Sequence, residues 1–192
     1  CRLSGELPEA IGEMAALEEL RLSRNVFTGQ IPASVTRLVS LQVLELQSNA
    51  LAGELPFAMG GLFNLRIFNV HRNRNNAVEG SGISGQIPVS LGNLRNLEEV
   101  RLHDNIMTGE LPTEMGQIES LRYLDIEINE FTGDIPMEFS NLVNLERFFL
   151  SNNLFNAGDL PEGLCEIESL EILFSDCELS NSCSTCNEER LR

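Results

Sequence analysis

Lysine is absent from the 192 residues, so all thirteen basic residues are arginine. No lysine means no Schiff-base amine and no phosphate-loop ammonium. Tryptophan is absent too, tyrosine occurs once and histidine twice. No Asn-x-Ser/Thr acceptor is present, and Asn181-Ser-Cys183 is a weak substitute. No apolar run is long enough to cross a membrane, and no leader-like segment is visible. Net charge is −16, which argues against nucleic acid and anionic lipid as partners. The acidity reads as a solvated, solubilising surface, with a cationic or calcium-bridged partner as the alternative.

A unit of 24 residues repeats instead. It runs Leu-x-x-Leu-x-Leu-x-x-Asn-x-Leu/Phe-x-Gly-x-Ile/Leu-Pro, with clear copies from Leu17, Leu41, Leu97 and Leu121. In one copy, Leu41, Leu44, Leu46, Asn49, Leu51, Gly53, Leu55 and Pro56 fill every slot. Self-similarity at this period marks a leucine-rich-repeat solenoid. Single repeats cannot bury their apolar face alone, so neighbours stack around a continuous core. The expected fold is an α/β solenoid. It is a right-handed superhelix with a concave parallel β-sheet, short 3-10 or helical turns on the convex side, and a Cys-rich C-terminal cap.

Leu41, Leu44 and Leu46 are expected to point inward, and Val43, Glu45 and Gln47 outward. The Asn slot (Asn25, Asn49, Asn73, Asn105, Asn129, Asn153) reads as a structural ladder of inward amides bonding the adjacent coils. Cys1 holds the equivalent slot of the first copy. The Gly before each Ile/Leu-Pro, as in Gly29 and Gly53, suits a backbone angle other residues resist. Each Pro, such as Pro88, ends hydrogen bonding and opens a short turn.

The Gly-x-Ile-Pro element at this period resembles the plant-specific class of leucine-rich repeats. That class includes ectodomains of receptor-like kinases and receptor-like proteins, and polygalacturonase-inhibiting proteins. The resemblance implies a second short strand near Thr28-Gly29-Gln30-Ile31 and a twisted superhelix.

Residues 1–16 read as a truncated first repeat, 17–169 as repeats and 170–192 as the cap. Because the chain opens inside a repeat, a longer protein is expected to supply what precedes it. Cys165, Cys177, Cys183 and Cys186 cluster where the pattern fades. An even set beside a solenoid end reads as a disulfide cap formed in an oxidising compartment. Three pairings are possible, and a four-thiolate zinc site is the rival. The run Leu170 to Cys177 with Cys183 and Cys186 resembles caps of diatom and other algal leucine-rich-repeat proteins.

From Leu65 to Leu97 is 32 residues, eight more than the period, and the excess falls within 74–84. Insertions in solenoids map to surface loops, often on the binding face. The Gly and Asn content of this one fits a flexible loop. A single extra residue falls within 153–158.

Outward strand positions stack into columns about 4.8 Å apart. Tyr123, Phe149, Phe174 and Ile172 form an apolar patch with Arg147 inside it, the composition of interaction sites. Arg101, Asp125 and Glu127 would fix register beside it. His71 and His103 share a column ahead of Glu127, a set that could bind a divalent metal or sense pH, or be plain solvated polar residues. No nucleophile–His–carboxylate set, phosphate loop or recognised metal motif appears, so no enzyme, cofactor or metal is expected. Asp125 and Glu127 lie on one strand, not across a sugar-binding cleft. The sequence therefore reads as a non-catalytic, extracellular or cell-surface module binding a protein or peptide on its concave face. It has no nucleic-acid partner and inserts no segment of its own into a membrane. A secreted enzyme inhibitor and a structural or adhesive subunit are the alternatives.

Overall fold

The computed structural model describes residues 2–75, 77–158 and 160–176. Cys1, Cys177, Cys183 and Cys186, and with them most of the expected cap, lie outside the described residues. The chain coils as a parallel solenoid. Seven three-residue strands form the concave sheet: Glu19–Arg21, Val43–Glu45, Ile67–Asn69, Glu99–Arg101, Tyr123–Asp125, Arg147–Phe149 and Ile172–Phe174. They pair in parallel and in strict repeat register, so that Glu19, Val43, Ile67, Glu99, Tyr123, Arg147 and Ile172 fall in one row.

A second set of short strands follows the first. Ser4–Glu6 pairs with Val26–Thr28, and Ala52–Glu54 through Leu154–Phe155 make a five-stranded sheet. In the repeat where the resemblance placed this strand at 28–31, it lies at Val26–Thr28, a little earlier. Gly29, at φ 72°, turns the chain out of the extended region just after this strand. Proline then opens most convex 3-10 turns, as Pro88 does for Val89–Asn93 and Pro112 for Thr113–Gln117.

One core runs the length of the coil. Leu41, Leu44, Leu46, Leu65, Phe68, Leu97, Val100, Leu121, Leu124, Leu145 and Phe148 are fully buried in it. Removing each such side chain from water contributes roughly 1.5–3 kcal/mol. Repeats approach so closely on the convex side that a Cβ on Gly92 or Gly116 would meet the next repeat's backbone carbonyl (Glu114 or Glu138) at 2.3 Å.

The slot asparagines bind the coils together. Asn105 Oδ1 accepts the Ile83 N–H at 3.0 Å, and its amide donates to Val70 O at 3.0 Å and Leu102 O at 2.8 Å. Asn25, Asn49, Asn73, Asn129 and Asn153 repeat the pattern. Each interior carbonyl thereby serves two amides: Leu102 O receives Asn105 and Asn129, and Val70 O receives Asn73 and Asn105.

The insertion leaves the coil after Asn73 and rejoins at Gly82, where Ala52↔Gly82 pairing resumes. The loop is clasped rather than loose. Asn75 N–H donates to Ser81 Oγ at 2.8 Å, and that hydroxyl donates back to Asn75 O at 2.9 Å. Among the described residues no helix is long and apolar enough to cross a membrane. A short α-turn, Glu162–Cys165, carries Cys165 half-buried.

Candidate functional site on the concave sheet

The concave sheet projects its outward side chains across three-residue strands one repeat apart, so contacts run sideways between repeats. At the first strands, Arg21 bonds Glu19 at 2.9 Å and Glu45 at 2.7 Å. Further along, Asn69 Nδ2 donates to Glu99 Oε1 at 2.8 Å. Arg101 Nε lies 3.0 Å from the same carboxylate, and its guanidinium sits 4.4 Å over the Tyr123 ring. Tyr123 in turn packs on Phe149, ring centroids 5.5 Å apart. Tyr123 and Phe149 are half-buried, Arg147 is exposed, and Phe174 at the far end is 55% exposed. The structure thus brings the aromatic residues and both arginines into one continuous strip. Burial, and then the Asp125 charge, push the Tyr123 phenol up from its usual value.

Asp125 departs from the sequence expectation. Alternation aims it outward as a contact residue, yet it is buried, 5% exposed. His103 from the previous repeat covers it, with Nδ1 2.7 Å from Asp125 Oδ2 at angles poor for a hydrogen bond. A buried carboxylate is held by a close cationic or polar partner. Asp125 therefore supports His103 from beneath and does not fix a ligand's register itself. Glu127 remains half-exposed and accepts the Ser151 hydroxyl.

His71 and His103 stack face to face, centroids 4.2 Å apart and planes 20° apart. Stacked rings hold their nitrogen lone pairs parallel, not converging on a point, and Glu127 is turned to Ser151. Among the described residues no three His, Cys, Asp or Glu side chains gather as a metal set. Burial, followed by the neighbouring His103, Arg101 and Arg72 charges, lowers His71 to about 4. His71 is thus neutral at physiological pH.

Sequence reasoning missed the convex surface. Phe57 (86% exposed), Val89 (62%) and Met137 (75%) each follow a proline and leave an apolar side chain open on that face. The signal was present in the Pro-plus-one position.

The family model described as Leucine Rich Repeat matches residues 16–38 and 120–142. No curated protein matches the sequence. Among solved structures, the plant peptide hormone receptor RGFR1 in complex with RGF2 superposes with a TM-score of 0.83 at 29% identity, over 91% of this chain and 27% of that one. The Arabidopsis receptor kinase HAESA, in complex with the peptide hormone IDA and the co-receptor SERK1, gives 0.81 at 30% identity, over 91% and 28%. A TDR receptor gives 0.80 at 31%, over 91% and 28%. The chain therefore spans less than a third of the length of these receptors. A plant ice-binding protein, 24% identical with a TM-score of 0.71 over 91% of this chain and 61% of that one, shares the fold. Repeat spacing, parallel coil and structural relatives agree: the chain is a leucine-rich-repeat solenoid that matches plant-type leucine-rich-repeat receptors.

Proposed function

We propose that the chain is a non-catalytic recognition module that binds a protein or peptide along its concave sheet. The carrying observation is the strip in which Arg101, Tyr123, Phe149 and Phe174 lie side by side with exposed Arg147. Aromatic and arginine side chains on a rigid, partly desolvated surface are the usual anchors of protein interfaces. Tyr123 and Phe149 form the floor, Arg147 and Glu127 set register, and the His71–His103 stack bounds the N-terminal side. Solved relatives in complex with peptide hormones support this reading. An extracellular or cell-surface setting is supported by these relatives, which include the ectodomain of a plant membrane receptor kinase.

The test starts from binders selected against the immobilised chain from a library of peptides and secreted proteins. Each is then re-measured against Tyr123→Ala, Phe149→Ala and the convex Phe57→Ala. Tyr123→Ala should weaken binding by more than about 1 kcal/mol, roughly fivefold, with Phe57→Ala neutral. Binders indifferent to both concave substitutions but lost with Phe57→Ala would overturn the proposal.

A further inference from the structure

A second site lies beside the concave sheet, where each strand turns toward its slot asparagine. The residue before that asparagine adopts the left-handed region, with φ 57° at Arg24, 58° at Ser48 and 55° at Arg72. Coil register sets Arg2 next to Arg24, because Leu3 N–H donates to Asn25 Oδ1 and Ser4 pairs with Val26. Arg74 follows two residues after Arg72, at the root of the insertion, and Asn75 is held there by its clasp to Ser81. Together these residues line a cavity of about 450 Å³.

Its charge is opposite to that of the chain. The protein has 29 acidic and 13 basic residues, yet this lining has four arginines (Arg2, Arg24, Arg72 and Arg74) and no carboxylate. The ion pairs among the described residues involve Arg21, Arg66, Arg101, Arg122 and His103, and none of these four. Arg2, Arg24, Arg72 and Arg74 are all exposed. Four like charges around one concavity repel, and no carboxylate among the described lining residues offsets that repulsion. An anion entering the cavity would. A carboxylate offers two oxygens and matches one guanidinium fork, whereas a tetrahedral oxyanion presents edges to several forks at once. The Ser48 hydroxyl and the Asn75 side chain add neutral polar groups to the lining.

We propose that this arginine-lined cleft binds the phosphate or sulfate group of a ligand, with the inserted loop forming one wall. The site is independent of what occupies the concave strip. The eight extra residues then have a role: they carry Arg74 and Asn75 to the rim.

The experiment titrates the isotopically labelled 192-residue chain with sodium phosphate, sodium sulfate, sodium acetate and sodium chloride at matched ionic strength. NMR follows the arginine side-chain and the Ser48 and Asn75 backbone resonances. Phosphate or sulfate, or both, should give saturable shifts confined to the cleft, and the stronger of the two identifies the group. Arg72→Gln and Arg24→Gln should each weaken binding at least about fivefold, Arg72→Lys should fall between, and Arg95→Gln should leave it unchanged. Equal responses to chloride or acetate would overturn the proposal. So would saturable binding that survives both Arg72→Gln and Arg24→Gln in spectra that remain fully dispersed.

Discussion

Removing asparagines from adjacent repeats should cost more than the sum of the single losses. Asn105 is fully buried, and its three shortest bonds are not equally exclusive. The Ile83 N–H has the Asn105 oxygen as its partner, so Asn105→Ala leaves a buried donor unpaired, at about 1–3 kcal/mol. The two carbonyls retain a second amide each, Asn73 for Val70 O and Asn129 for Leu102 O. Their loss adds only about 0.5–1 kcal/mol, for a total near 2–3 kcal/mol. Asn129→Ala alone should cost a similar amount, because it orphans the Met107 N–H. In the double variant Leu102 O loses both donors and becomes a buried, unpaired acceptor. A coupling energy of about 1 kcal/mol or more beyond additivity follows. Asn49 and Asn129 share no carbonyl, so that pair should add within about 0.5 kcal/mol. Urea unfolding of the three single and two double variants measures both cycles. Additive costs for Asn105 and Asn129 would refute the shared-acceptor reasoning.

Three further expectations rest on single residues. Ile128 is β-branched yet held at φ 52° with its side chain 45% exposed, so Ile128→Asn should raise stability by about 0.5–1 kcal/mol in thermal unfolding, and a loss would refute the strain. His71 is lowered to about 4 in the fold from an ordinary 6.5, so the unfolded chain takes up the proton first. Stability should therefore be intact above pH 6.5 and fall as pH drops toward 4. His71→Gln should flatten that slope in unfolding midpoints measured against pH, and identical slopes would exclude His71 as the cause. Tyr123 is the single tyrosine in a chain without tryptophan, so its near-ultraviolet ionisation is read directly and should lie above 10, moving down in Phe149→Ala; a midpoint at or below 10 would contradict its burial.

The fold was legible because its determinants are periodic. Leu41, Leu44 and Leu46 recur with little change from repeat to repeat, and a 24-residue period has few ways to bury its apolar face other than by stacking. Gly29 announced a turn, though not that the strand would start at Val26. The insertion was visible as a broken period, while its Asn75–Ser81 clasp was not, since that depends on two residues meeting after the chain turns. The site was legible only in part. Columns followed from the period, which put Tyr123, Phe149 and Phe174 near each other. Alternation then misled at Asp125, because strands one repeat apart let His103 cover an outward carboxylate.

The sequence by itself determined the coil, the inward and outward sets and the absence of lysine chemistry, since these depend on spacing and composition. Only the tertiary structure decided which outward residues stay open and which cover one another. It alone gathered Arg2, Arg24, Arg72 and Arg74 around one cavity. Arg2 and Arg72 are 70 positions apart in the chain. Coil register brings such residues together because each turn of a solenoid advances only about one strand spacing, about 4.8 Å.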